Sequence, residues 1–235
     1  MAEVNLLETQ PKTLRNVEAR KTNKEANRAA ALKYGWEYFD GPREQGYGGY
    51  VYDRRWVPVA KTMIEHFGLE PGDRVLDVGC AKGFLVKDLM DACPGLQVFG
   101  LDISEYAIRN CHPDVSGRLL LGTADCLPFA DGSFTVVLAI NTIHNLERNR
   151  CIGALKEIER LAPGRAFVQV DAYRSPEERA VFEDWMLTAK TYCQPREWTD
   201  LFAEAAYTGD YYWTILELDP EWTLSDHIDN PKTET

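Results

Sequence analysis

A chain of 235 residues with 45% apolar and 11% aromatic side chains can bury one substantial core, so one domain with embellishments is expected. The net charge of −11 is uneven: residues 1–33 hold seven Lys/Arg against four Asp/Glu, which leaves the remainder strongly acidic and disfavours nucleic acid as a partner. The six cysteines show no C-x-x-C or Cys/His ligand spacing, so reduced, mostly buried thiols and no metal are expected. Val4 to Leu7 is too short for the apolar part of a signal peptide and no run approaches a membrane span, so a cytoplasmic protein without a membrane partner is expected.

Taken in order, residues 1–33 interleave Lys, Arg, Glu and Asn around a few alanines and read as a solvated helix or partly disordered arm, with a partner-binding arm as the alternative. At Tyr34 the composition changes. Tyr34, Trp36, Tyr38 and Phe39 lead into a stretch from Arg43 to Trp56 in which glycines separate Tyr47, Tyr50 and Tyr52. Such a segment can serve as a lid that buries large side chains over a ligand, or can pack on the core as filler. A helix with Ala60, Met63, Ile64 and Phe67 on one face ends near Gly68, and Pro71-Gly72-Asp73 turns into the first strand.

The stretch from Val75 to Leu85 reads as a buried strand ending at Asp77, a glycine-bounded turn, and a helix starting at Phe84. Glycine lets backbone approach a ligand closely, and the amides of the new helix point above the turn, which suits a small polar ligand. A phosphate-cradling loop is excluded because the GK[ST] ending is absent. The dinucleotide fingerprint is excluded because Ala81 and Phe84 occupy two of its glycine positions. Val98 to Asp102 is a second strand, followed by a helix that Ser104 caps; Arg118 to Leu121, Phe134 to Ile140 and Arg165 to Asp171 are further strands. A helix with Cys151, Ile152, Leu155, Ile158 and Leu161 inward precedes the last of these. Strands alternating with helices predict an α/β fold with a doubly wound, mostly parallel sheet and ligands at the carboxyl ends of its strands. Ser175-Pro176-Glu177-Glu178 is a capping box that opens a helix to about Lys190, Pro195 opens another, and Tyr211 to Leu218 is the last strand.

Asp77-x-Gly79-x-Ala81-x-Gly83 resembles motif I of the class I S-adenosylmethionine-dependent methyltransferases, with Ala81 in place of a glycine. Asp102 follows Gly83 at the spacing where doubly wound folds set an acid on ribose hydroxyls. Gly122 to Phe129 resembles the family's G-D-A-x-x-L-P-F segment with Thr123 for the acid, and Asp131-Gly132-Ser133-Phe134 its turn into the fourth strand. The chain is similar to small stand-alone bacterial members. The resemblance implies a Rossmann-like fold and S-adenosylmethionine as cofactor, with S-adenosylhomocysteine as product. It sets Asp77 near the methionine amine and wraps Gly79, Cys80 and Gly83 around the amino-acid moiety. Asp102 and Ile103 then hold ribose and adenine, and Ala124, Asp125 and Cys126 lie at the adenine edge. Lys82 is expected to point to solvent.

In the family the segment after the fourth strand faces the methyl group, so Asn141, also counted with the cofactor residues, and His144 are candidates for contact with the acceptor. His144 can accept a proton near neutral pH, or can instead cap the following helix. Tyr47, Tyr50, Tyr52, Arg55 and Trp185 are the acceptor candidates, because rings plus guanidiniums can enclose a polar molecule and clamp an anion. These readings divide the chain into an arm and candidate lid over residues 1–56, a methyltransferase domain over 57–219 with an acceptor-side insertion at about 174–198, and a loose tail at 220–235. The expected reaction is methyl transfer to an O or N of a small polar acceptor such as a sugar or sugar nucleotide. A macromolecular acceptor and a non-catalytic cofactor-binding protein are the alternatives, and a homodimer is admitted.

Overall fold

The computed structural model describes residues 1–11 and 17–216; the expected tail, and Glu217 and Leu218 of the last predicted strand, lie outside them. Three short helices, α1 (Val17–Lys21), α2 (Lys24–Ala31) and α3 (Trp36–Phe39), precede α4 (Val57–Phe67). Then follow β1 (Arg74–Val78), α5 (Phe84–Ala92), β2 (Gln97–Asp102), α6 (Glu105–Arg109), β3 (Leu119–Leu121), β4 (Val136–Ile140), α7 (Arg148–Leu161) and β5 (Ala166–Ala172). Two helices, α8 (Pro176–Trp185) and α9 (Pro195–Glu204), lead to β6 (Asp210–Ile215).

Among the described residues the sheet has the order β3-β2-β1-β4-β5-β6, and every pairing is parallel. Val75, Leu76 and Val78 of β1 and the inner residues of β4 and β5 are fully buried, because helices cover both faces of a parallel sheet. One core layer joins α7 and α9 to the sheet through Leu155, Ile158, Trp198 and Phe202; the other joins α4 and α5 through Val59, Met63, Val86 and Leu89. The strand order reverses between β1 and β4, which opens a crevice at their carboxyl ends.

Local signals behave as their chemistry requires. Ser104 Oγ accepts from the Ala107 amide at 2.9 Å, and Ser175 Oγ from the Glu178 amide at 3.2 Å. The helix opened by Ser175 stops at Trp185 instead of running to Lys190, because Met186 adopts an extended conformation and its neighbours turn inward with Leu187 and Ala189 buried. The outer edge of β6 is not left bare. Residues Ala2 to Val4 lie parallel along it, with Val4 donating to the Tyr211 carbonyl at 2.9 Å and Tyr211 donating to the Ala2 carbonyl at 3.0 Å.

Most described side chains of residues 1–33 are exposed or half-buried, as a solvated helix requires, but the segment is anchored to the body at a few points. Leu6 is buried among core residues, and cationic side chains of α1 and α2 reach carbonyls at the end of α8 and beyond. Lys24 Nζ donates to Asp184 at 2.6 Å and Met186 at 2.5 Å, and Arg28 Nη2 donates to Ala189 at 3.3 Å. Charge in this segment is spent on satisfying backbone oxygens of another segment, a use that charge patterning alone does not distinguish from solvation.

Ala81 sits at φ +50°, in the left-handed region that its Cβ disfavours. The strain is about 1 to 2 kcal/mol, against an entropic cost of about 0.5 to 1 kcal/mol for glycine. Ala81→Gly is therefore expected to stabilise the protein by up to about 1 kcal/mol, raising Tm by about 2 to 4 °C in thermal denaturation. A fall in Tm would mean that the methyl's packing with Phe39 and Ala107 outweighs the strain.

Candidate active site

Beyond β1 the chain makes the turn that its glycines permit. Gly79 has φ +82°, and a Cβ there would stand 2.0 Å from Thr142 Oγ1, so no other residue fits. Gly83, at φ +75°, opens α5, but its missing Cβ makes room for Val115 and Leu119 and not for a ligand. Cys80 likewise turns away, its sulfur packing over Gly100. The Ala81 amide donates to Asp102 Oδ2 at 2.8 Å and the Ser104 amide to Oδ1 at 2.8 Å, which orients the Asp102 carboxylate at the end of β2.

A cleft of about 390 Å³ lies above these strand ends. Gly79, Asp102, Ile103, Ala124 and Asn141 line it, joined by Tyr34, Tyr38 and Phe39 from the N-terminal segment and by Thr142 and Arg150. Asp77 lies beneath, 4% exposed; burial and the nearby Asp102 raise its carboxyl to about 7, and no cation or hydrogen-bond donor among the described residues offsets them. Asp125 is held by Arg150 at 2.6 Å, which keeps its carboxyl down at about 2, and neither Asp125 nor exposed Cys126 lines the cleft.

Lys82 corrects its expected solvent exposure: it is 7% exposed, and its Nζ donates to both Asp40 oxygens at 2.8 and 2.7 Å and to the Tyr50 carbonyl at 3.0 Å. Tyr106 Oη donates to the same Asp40 at 2.7 Å. The stretch between Tyr34 and Trp56 is thus pinned to the glycine turn by one buried ion pair. A cation in the turn is needed there because Asp40 is brought in from the other segment, a partnership across about forty positions that sequence spacing does not signal.

A second, smaller cavity of about 250 Å³ adjoins the first and shares Tyr38, Tyr47 and Asn141 with it. Arg55 and Trp185, named as acceptor candidates, line it, together with His144, Arg20, Arg43, Asp171 and the segment Met186 to Ala189. Tyr50 and Tyr52 line neither cavity. Tyr50 stacks on Phe84 with centroids 4.9 Å apart, and Tyr52 donates to the buried Asp88 of α5. Both were named as acceptor candidates; the path of the chain between Arg43 and Trp56 sets them against α5 instead.

His144 is 4% exposed in a short turn between β4 and α7, and Glu147 holds the cap position of α7, so the capping alternative does not apply. The Asp171 amide donates to His144 Nδ1 at 3.1 Å, and Nε2 stands 3.6 Å from Asp171 Oδ2. Burial lowers the ring's pKa although Asp171 opposes it. With Nδ1 accepting, the neutral ring carries its proton on Nε2, beside Asp171 Oδ2, and the carboxylate of Asp171 is the group that can accept a proton. Asp171 stands one residue before the end of β5, where a strand-end rule applied to every acid would have flagged it.

Residues 76–168 match the family described as methyltransferase domain. The chain is 32% identical over 146 residues to sterol 24-C-methyltransferase ERG6B of Gibberella zeae, covering 57% of this chain and 37% of that protein. It is 29% identical to the demethylmenaquinone methyltransferase of Symbiobacterium thermophilum (61% and 60%) and 28% identical to the 2-methyl-6-phytyl-1,4-hydroquinone methyltransferase of Synechocystis sp. (78% and 67%). The matched part spans between 37% and 60% of the length of the first curated relatives it matches. Among solved structures, a chain of the complex between the Haloferax volcanii Trm112 methyltransferase activator and a methyltransferase superposes with a TM-score of 0.52 at 26% identity, covering 62% of this chain and 65% of that one. No helix among the described residues is long and apolar enough to cross a membrane. The all-parallel sheet, the glycine turn above Asp77 and the family match agree: residues 76–168 form a methyltransferase domain of the class I, S-adenosylmethionine-dependent kind.

Proposed function

We propose that this chain transfers a methyl group from S-adenosylmethionine to an O or N atom of a small polar acceptor. The observation that carries this reading is the pair of cavities meeting at Asn141, one floored by Gly79 and Asp102 and the other by His144 and Asp171.

The residues of the larger cleft fit the cofactor. The buried Asp77 carboxylate lacks a compensating charge, which an ammonium group would supply; Asp102 keeps lone pairs on two oxygens for neighbouring hydroxyls. When bound, the cofactor supplies an electrophilic methyl on a sulfonium. The protein's share is then to hold the acceptor in line, exclude water and take a proton. Tyr38 and Tyr47 line both cavities, His144 Nε2 carries a donor beside Asp171, and Asp171 receives the proton of an attacking hydroxyl or amine. Asn141, at φ +53°, is held there by its own amide donating to Gln169 and by Asn145 donating to its carbonyl at 3.0 Å.

A macromolecular acceptor had the basic arm as its support, and engagement of Lys24 and Arg28 with the protein's own backbone weakens that support. Calorimetric titration with S-adenosylhomocysteine, followed by acceptor screens for its formation from S-adenosylmethionine, tests the reading; absence of binding overturns it.

Cofactor affinity is expected to depend on pH. Asp77, held up at about 7 without ligand, must be ionised to pair with an ammonium, so binding releases a proton and strengthens as pH rises. Affinity for S-adenosylhomocysteine should be about tenfold weaker at pH 6 than at pH 8, and Asp77→Asn should flatten the profile. Calorimetry in two buffers of different ionisation heat counts the proton directly.

A further inference from the structure

We infer that Arg150 holds the purine ring of the cofactor by covering it with the flat face of its guanidinium, and that Asp125 positions Arg150 for this. The inference rests on the methyl-transfer reading and names a residue of its cofactor site.

Arg150 is the third residue of α7, and it lines the larger cleft together with Ile103, Gly122, Thr123 and Ala124. Thr123 to Cys126 forms a tight turn, closed by the Cys126 amide donating to the Thr123 carbonyl at 3.1 Å, which sets Asp125 against α7 and outside the cleft lining. A Cβ at Gly153, three residues beyond Arg150 on the same helix face, would stand 3.5 Å from the Asp125 Cβ. Asp125 therefore meets the guanidinium edge-on. Its Oδ2 accepts from Nε at 2.6 Å and its Oδ1 from Nη2 at 2.9 Å, and Nη2 also donates to Thr123 Oγ1 at 3.0 Å.

One edge of the guanidinium is thus filled by a carboxylate that does not itself line the cleft. What Arg150 offers the cleft is its face and Nη1, which makes no hydrogen bond among the described residues. A guanidinium whose plane is already fixed by a fork has little more freedom to lose, and its weakly hydrated face stacks on π-systems. Ile103 adds apolar surface to the same cleft, left 52% exposed at the end of β2. An open isoleucine and an ordered guanidinium face suit a flat, weakly polar ring, whereas Asp102 suits the hydroxyls of the same ligand.

Thr123 bears on the mode of binding. It stands where the segment it resembles has an acid, and its hydroxyl is committed to the clamp, donating to Asp125 and accepting from Arg150. The base is accordingly held by cover on its face and not by a carboxylate at position 123.

Calorimetry with three ligands tests this: S-adenosylhomocysteine, adenosine, and S-ribosylhomocysteine, which carries a hydroxyl in place of the base. Arg150→Ala is expected to weaken the first two alike, by about five- to twentyfold, and to leave S-ribosylhomocysteine unchanged. Arg150→Lys keeps the charge and loses the plane, so it should stay within about threefold of the alanine variant. Asp125→Ala frees the guanidinium from its fork and should lose a smaller factor on the same two ligands; a merely structural role would show with all three. Parental affinity for S-adenosylhomocysteine in the Arg150→Ala or Arg150→Lys protein, a loss shared by S-ribosylhomocysteine, or one missing for adenosine overturns the inference. Parental affinity in Asp125→Ala overturns the positioning role of Asp125. Failure of the parent protein to hold S-adenosylhomocysteine at all strikes the methyl-transfer reading instead.

Discussion

An Asp102→Ala variant is expected to bind S-adenosylhomocysteine at least about 100-fold more weakly than the parent, a loss of about 3 kcal/mol or more, since hydrogen bonds to a charged acceptor contribute about 1.5 to 3 kcal/mol each. Two consequences of the substitution add. The carboxylate that would accept two ribose hydroxyls is gone, and the amides of Ala81 and Ser104, each 2.8 Å from that carboxylate, lose their acceptor. The second effect loosens the glycine turn itself. Asp102→Asn separates them, because an amide oxygen still serves one of the two backbone donors. Its loss should therefore be smaller, with thermal stability closer to the parent. Calorimetry reads affinity and denaturation reads the turn; an Asp102→Ala protein that binds as the parent does would remove Asp102 from the cofactor site.

Replacing Asp171 with asparagine should lower kcat by about 10² to 10⁴-fold with an acceptor identified by screening, the range associated with a positioned proton acceptor, while affinity for S-adenosylhomocysteine is unchanged. Asparagine keeps the size of the side chain and leaves the Asp171 backbone amide free to donate to His144 Nδ1, so the floor of the cavity is preserved and only proton acceptance is lost. His144→Ala acts differently: it strands that amide in a buried place, at a cost of about 1 to 3 kcal/mol, and should show first in thermal stability. A full kcat in the Asp171→Asn protein would mean that orientation alone drives transfer, with proton loss to solvent.

Much of the cofactor side was legible in the residues themselves. The turn between β1 and α5 announces itself through glycines whose positive φ no other residue takes well, and Asp102 through its distance from that turn. Both are local: backbone sterics act over a few residues, so their traces stay contiguous in the chain. Ala81 illustrates the limit, since its alanine identity gives no warning that it adopts a left-handed conformation, which only the turn's closure onto Asp102 imposes.

The acceptor side was legible only in part. Arg55 and Trp185 line the smaller cavity, whereas Tyr50 and Tyr52 do not, because period-free segments carry no record of which way their side chains face. Lys82 was misread for a related reason. A lysine in a turn is normally solvated, and only Asp40, delivered from the N-terminal segment, makes its burial affordable. The same holds for Lys24 and Arg28, whose partners are carbonyls of Asp184, Met186 and Ala189. Taken alone, the sequence determined the parallel α/β sheet and the residues around its glycine turn, since hydrophobic period and backbone sterics act locally. Tertiary structure decided the pairing of His144 with Asp171, the burial of Lys82 and the clamping of Arg150 by Asp125, since each joins segments far apart in the chain through contacts that have no local signature.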